Sequence, residues 1–204
     1  LSPQWGCVDN QPVIYYSEFT SYNVRIGITD MEGNARTVFN LDGTSVGIVP
    51  CQNEIIYCRS GIIWRCYYDQ ERNKRIHLPL IKGENTCASP TVDEYNNIYY
   101  CERGTIRYYD RKKDRTQAVL YKGYYVAPSY HPRNGSLAYA RRINGVMQVC
   151  VCDCAAYQEK QVTTSTYDVY DPRWSPCGSY IIYANSKDAC VYVHNIYTGI
   201  TYRI

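Results

Sequence analysis

Apolar and polar residues alternate along most of the chain in short runs, and Gly, Asn, Asp or Pro breaks the runs every few residues. The apolar positions are mostly Tyr, Val and Ile, with Thr among them, the residues that suit a pleated, half-buried surface. Alternation with period two predicts strands, and the breakers predict turns. No long window carries a 3.6-residue apolar period free of a breaker, so the chain reads as nearly all β.

One short pattern recurs, an apolar residue followed by any residue, Tyr and a small residue. It occurs as Ile14-Tyr15-Tyr16-Ser17, Ile55-Ile56-Tyr57-Cys58, Ile98-Tyr99-Tyr100-Cys101, Leu137-Ala138-Tyr139-Ala140 and Ile181-Ile182-Tyr183-Ala184. The aligned Tyr are 41, 43, 39 and 44 residues apart. A second strand follows each and ends at Asp30, Asp69, Asp110, Asp153 or Asn195. Pro3, Pro50, Pro90, Pro128 and Pro172 precede the Tyr strands. The Tyr-to-Asp gaps are 14, 12, 10, 14 and 12; all are even, so the hairpins differ in turn length and keep side-chain facing. A short fourth strand follows, as in Thr37-Val38-Phe39 or Arg75-Ile76-His77-Leu78. Four strands in about 41 residues is the signature of a β-propeller blade. The expectation is an all-β propeller of about five four-stranded blades in one domain spanning 1–204, with repeats near 1–46, 47–86, 87–126, 127–167 and 168–204.

The fifth unit reads Asp171-Pro172-Arg173-Trp174-Ser175-Pro176-Cys177-Gly178, then an apolar strand, then Val191-Tyr192-Val193-His194-Asn195. It resembles the repeat of TolB-type propellers, which places Pro before Trp-Ser-Pro-Asp-Gly; here Cys177 stands for the Asp. The fourth unit keeps Pro128-Ser129-Tyr130-His131-Pro132-Arg133-Asn134-Gly135, and the first keeps Pro3-Gln4-Trp5. The resemblance spans almost the whole chain. TolB propellers have six blades behind a separate N-terminal domain, whereas five are found here. A segment, a divergent relative and a five-bladed ring all remain open. Gly135 and Gly178 are expected in tight turns between first and second strands, and Trp5 and Trp174 between blades.

Composition changes this picture in two places. There are 24 Tyr against 2 Phe and 11 Cys against 2 Met. Tyr fills the aligned strand position, and Cys58 and Cys101 stand where other units have Ser or Ala, so both skews read as packing. A net charge of +3 exerts no strong pull on nucleic acid or anionic membrane, and neither is expected as a partner. No apolar run approaches the roughly 18–20 residues of a membrane helix. The first residues, Leu1-Ser2-Pro3-Gln4-Trp5, carry no secretory leader, so a mature product or an excised segment is expected.

Candidate chemistry is sparse. His77, His131 and His194 occupy different repeat positions and should not converge. No nucleophile elbow, zinc-protease helix or phosphate loop occurs, so no catalytic residue and no cofactor is assigned and the chain is expected not to be an enzyme. Cys150, Cys152 and Cys154 alternate along one strand and face one way; they are weak candidates for a soft metal, and a structural role is preferred because paired zinc spacing is lacking.

Propellers bind through their loops and channel. The loops leading into the innermost strands are Asp42-Gly43-Thr44-Ser45, Gly83-Glu84-Asn85-Thr86, Gly123-Tyr124-Tyr125 and Tyr167-Asp168-Val169-Tyr170-Asp171. Exposed Tyr mixed with acidic residues suits a protein partner. The candidate contact residues are Glu84, Asn85, Tyr124, Tyr125, Tyr167, Asp168, Tyr170 and Asp171. The TolB resemblance implies a periplasmic interaction scaffold, docking a Pal-like lipoprotein through that face. Two other expectations stand beside it: the gating propeller of a prolyl-oligopeptidase-like serine peptidase whose hydrolase domain lies elsewhere, and a carbohydrate-binding propeller that stacks sugars on Tyr.

Overall fold

The computed structural model describes residues 4–8, 11–19, 24–40, 45–49, 54–131 and 133–204. Among them are twenty strands and no helix. The anchors Pro3, Pro50 and Pro132 and the loop at Asp42, Gly43 and Thr44 lie outside the described residues.

The chain divides into two compact units, residues 1–96 and 97–204. In the first, β1 (Gln4–Val8), β2 (Gln11–Phe19), β3 (Val24–Thr29) and β4 (Ala35–Asn40) form one sheet. A second sheet holds β5 (Ser45–Val49), β6 (Glu54–Arg59), β7 (Ile62–Asp69) and β8 (Lys74–Ile81), and β9 (Cys87–Val92) follows. In the second unit β10 (Ile98–Glu102), β11 (Thr105–Asp110) and β12 (Arg115–Leu120) continue the sheet that β9 begins. The fourth sheet is β13 (Tyr125–Tyr130), β14 (Ser136–Ile143), β15 (Val146–Asp153) and β16 (Gln158–Gln161). The fifth is β17 (Val169–Trp174), β18 (Tyr180–Asn185), β19 (Val191–Asn195) and β20 (Thr201–Arg203). Every sheet is an antiparallel meander in chain order, as the repeat predicts.

Alternation along each second strand gives its sheet two unlike faces. In β14, Leu137 and Tyr139 point one way and Ala138 and Ala140 the other, all fully buried. Across the ladder Leu137 and Tyr139 sit opposite Cys152 and Cys150, while Ala138 and Ala140 sit opposite Val151 and Val149. The Tyr139 face packs with Tyr99, Ile106 and Tyr125. The alanine face receives the bulk of the next sheet, namely Trp174, Ile181 and Tyr183. Small residues on one face thus make room for aromatic residues from the other. In the first unit Tyr15, Ile26 and Ile28 pack on Ile55, Tyr57 and Cys66, so there both faces carry bulky residues.

Tyr takes the place of Phe because its hydroxyl reaches the outer strand. Tyr139 donates to Glu159 Oε2 at 2.9 Å, and Tyr57 Oη lies 3.4 Å from His77 Nδ1. The ring is buried and the polar tip is satisfied at the sheet margin. Burial pushes the Tyr57 hydroxyl up to about 12, and burial together with Glu159 holds Tyr139 still higher, so both stay protonated.

The repeat-ending Asp or Asn has one local task. Its Oδ1 accepts backbone N–H groups of the turn that follows. Asp30 accepts from Glu32 and Asn34, Asp69 from Arg72, Asp110 from Lys112 and Lys113, Asp153 from Ala155 and Ala156, and Asn195 from Tyr197 and Thr198, at 2.8–3.1 Å. The described proline anchors mark an equally regular irregularity. Ser89, Ala127 and Asp171, each just before a buried Pro, have φ of 50°, 52° and 51°. In β13 and β17 the register shifts at that point, so the anchor is a bulge in the innermost strand.

Of the two tryptophans expected between blades, Trp174 is buried, but Trp5 is 41% exposed. Trp5 lies on β1 opposite Ile14, which faces away from the Tyr15 side that packs on the second sheet. Trp174 is held edge-on by His131 at 4.6 Å between ring centroids. His131 Nδ1 accepts the N–H groups of Arg133 and Asn134, and Nε2 lies 3.1 Å from the Gly178 carbonyl. The imidazole is therefore neutral with its proton on Nε2, donating to that carbonyl. A Cβ at Gly178 would collide with this ring, and its φ of 74° also requires glycine.

Two outcomes follow from these contacts. Asn195→Ala removes two turn hydrogen bonds and should cost about 1 kcal/mol in urea unfolding, whereas Asn195→Asp should be near neutral. Burial lowers the His131 pKa below the ordinary histidine value, so the unfolded chain takes up the proton first as pH falls. The contribution is complete above about pH 6.5 and is lost below it. His77 and His194 are shifted the same way, also by burial. Comparison with His131→Asn isolates the one residue: the variant should show a shallower fall in unfolding midpoint between about pH 7 and 5 than the parent.

Candidate functional site

Antiparallel register decides which segments share an end of each sheet. Tyr125 pairs with Arg141 and Val169 with Asn185. The loops leading into β13 and β17 therefore lie beside the hairpins that join second to third strands. Hydrogen bonds lace them together in the second unit. Tyr125 N donates to Gly104 O at 2.8 Å, Arg142 N to Tyr124 O at 3.0 Å, and Ser186 N to Asp168 O at 2.9 Å. In the first unit Cys87 N donates to Gly61 O at 2.9 Å in the same manner.

The predicted contact residues divide on this frame. Glu84 is exposed, and Asn85 is half-buried with its carbonyl accepting the Cys87 thiol at 3.6 Å. Tyr124 and Tyr167 are each 48% exposed. Tyr125 is not on the surface: it opens β13, is 3% exposed, and packs edge-on against Tyr139. Its neighbour Tyr124 points outward because successive strand positions alternate faces. Tyr170 and Asp171 belong to β17 and not to the loop; both are exposed, and Asp171 forms the bulge. The Asp168 carboxylate turns toward the backbone and accepts Met147 N at 2.7 Å.

Two residues that the sequence did not single out complete the face. The Arg142 guanidinium lies over the Tyr124 ring at 5.6 Å, and Lys187 Nζ lies over Tyr167 at 5.7 Å. In consecutive sheets, the exposed loop Tyr thus carries a cation from the neighbouring hairpin. Tyr124 rests on Gly104, where a Cβ would strike its ring. Beside this pair a groove of about 530 Å³ is lined by Arg141, Arg142, Ile143, Asn144, Glu159 and Gln161. Glu159 is already engaged, accepting from Tyr139 and pairing with Arg141. Arg142 donates to Gly145 O at 3.0 Å, and no carboxylate pairs with it among the described residues. Of the predicted acids Asp168 serves the fold, Glu84 and Asp171 stay exposed, and the side chains lying over Tyr124 and Tyr167 are cations.

The other candidate chemistry lies elsewhere. Cys150 and Cys152 are buried in the Tyr139 interface, with Cys154 half-buried beside it. Burial pushes the Cys150 and Cys154 thiols up to about 12 and raises Cys152. No group of three or more His, Cys, Asp or Glu placed to hold a metal occurs among the described residues. Cys150, Cys152, Cys154 and Cys177 are free thiols. Cys177 is exposed in the Ser175–Gly178 turn, and hydrogen bonding from Ser175 and then Ser179 lowers its pKa.

Solved structures share this architecture. TolB from Acinetobacter baumannii superposes with a TM-score of 0.77 at 16% identity, over 98% of this chain and 53% of that one. The fold is a β-propeller. A nidogen/laminin complex gives a TM-score of 0.73 at 13% identity, covering 97% of this chain and 76% of the other. The structure of putative TolB from Agrobacterium tumefaciens gives 0.70 at 14% identity, covering 84% and 65%. The chain spans about half the length of the A. baumannii protein. No protein-family model matches the chain, and no curated protein matches it in sequence. No helix among the described residues is long and apolar enough to cross a membrane.

The thiols give a direct measurement. Brief iodoacetamide treatment of folded protein, read by peptide mass spectrometry, should alkylate Cys177 well before Cys150 or Cys152, because only the thiolate attacks and only Cys177 is exposed and acidified. Equal labelling would contradict the buried placement of β15.

Proposed function

We propose that the chain is a non-catalytic protein-interaction scaffold that engages its partner through the loop-and-hairpin face of the second unit. The observation that carries this reading is the pair of half-exposed tyrosines, Tyr124 and Tyr167, each held against a cation at the same end of consecutive sheets. Tyr and Arg are the residue types that anchor protein interfaces. Loops fixed by backbone hydrogen bonds present them with little ordering cost on binding. The likeness to TolB propellers supports a periplasmic setting and an envelope lipoprotein of the Pal kind as partner. The likeness to a structure that is itself a complex of two proteins, nidogen and laminin, supports the use of such a surface for protein contact.

Photo-crosslinking tests the face. Benzoylphenylalanine placed at position 124 or 167 in expressing cells should give a discrete crosslinked product. At position 197, in the turn after Asn195 at the other end of the fifth sheet, it should give none. Replacing the tyrosine at whichever position lacks the probe with Ala should reduce the product several-fold. Absence of product, or equal products at 124, 167 and 197, would overturn the reading.

A further inference from the structure

We infer that the groove beside Tyr124 is a binding site for an acidic peptide segment, with Arg142 as its carboxylate anchor; this rests on the scaffold reading and specifies the partner chemistry. Charge accounting at the groove comes first. Its lining residues include two arginines and one acidic residue. Glu159 is committed to Arg141 and to the buried Tyr139 hydroxyl, so one positive charge is left over, and it resides on Arg142.

Preorganisation is the second observation. Arg142 is fixed from two sides, with Nη1 on the Gly145 carbonyl and the guanidinium plane over Tyr124. Tyr124 in turn rests on Gly104 and gives its carbonyl to Arg142 N. An arginine held this way retains unused N–H donors in a planar fork, the geometry that matches a carboxylate.

The groove's shape and chemistry then select among anions. It is open and shallow, and it runs between the β14–β15 hairpin and the outermost strand β16, whose residues are all exposed. Asn144 and Gln161 offer amide groups along it, and Ile143 a short apolar wall. Gln161 Nε2 is bound to Thr163 O at 2.6 Å, which orients the amide and leaves its oxygen free to accept a peptide N–H. An extended peptide bearing Glu or Asp satisfies all of these groups, whereas a compact inorganic anion would use the arginine alone.

The test uses the full chain and fluorescence anisotropy. The probes are a fluorescein-labelled decapeptide of alternating glutamate and glycine and its glutamine counterpart. The glutamate peptide should bind saturably and weaken as salt rises, and the glutamine peptide should bind at least tenfold more weakly. Arg142→Gln should weaken binding about tenfold, and Arg142→Lys less. Arg115→Gln, an exposed arginine at the far end of the third sheet, should have no effect. Glu159→Gln releases Arg141 from its ion pair and should tighten binding several-fold, a gain that misfolding could not produce. Inorganic phosphate at the same ionic strength should not displace the peptide better than chloride. Equal binding by both peptides, an Arg142→Gln protein indistinguishable from Arg115→Gln, or no binding at all would overturn the site. The crosslinking experiment decides the scaffold reading separately, since it needs no acidic probe.

Discussion

The described sheets depend on one packing relation, the seating of a Tyr-bearing sheet face on the apolar face of the sheet before it. Tyr139 and Leu137 look toward the sheet before, and Ala138 and Val149 look toward the sheet after, where Trp174, Ile181 and Tyr183 fill the space. Truncating a fully buried aromatic in such an interface removes both transfer energy and packing, about 3–5 kcal/mol. Among the described residues no helix covers a sheet, so each sheet hides its apolar surface against its neighbours. The tyrosine hydroxyl adds direction to this contact. It must surface where the outer strand supplies a partner, as Glu159 does, so the ring has one acceptable orientation.

The functional face is downstream of that relation. Interface packing fixes the sheets, register fixes which loops and hairpins adjoin, and backbone bonds such as Tyr125 N to Gly104 O fix the loops. Only then do Arg142 and Lys187 come to lie over their tyrosines. One carboxylate that sequence places on this face, Asp168, is consumed in building it, while Asp171 remains exposed.

The repeat was legible because each anchor performs a local job that its residue type alone announces. Asp110 or Asn195 closes a turn, Gly178 occupies a positive φ under His131, and Pro128 or Pro172 sits at a bulge. The site was only half legible, for two physical reasons. Loop and strand are not separated by composition, so Tyr125 reads like Tyr124 although a single step of the pleat buries one and exposes the other. The cations over the tyrosines come from hairpins outside the loop segments; Arg142 and Lys187 share an end of the sheet but neither a register position nor a motif. Pairing strands two and three on paper would have located both. Trp5 holds the same place as Trp174, opposite Ile14 as Trp174 is opposite Ile181, and it is exposed because that face of its sheet is the one turned away from the second sheet.

The two-faced sheet also governs how such a chain can change. Because every unit carries both halves of its interface, a duplicated stretch of about 41 residues brings with it a socket and the plug for the next socket. Gain or loss of a whole unit therefore leaves the remaining contacts of the same kind. A single enlargement at Ala138, by contrast, demands an answering reduction at Trp174 or Tyr183 in the next sheet. Sequence drift is thereby coupled between neighbours, while copy number is comparatively free.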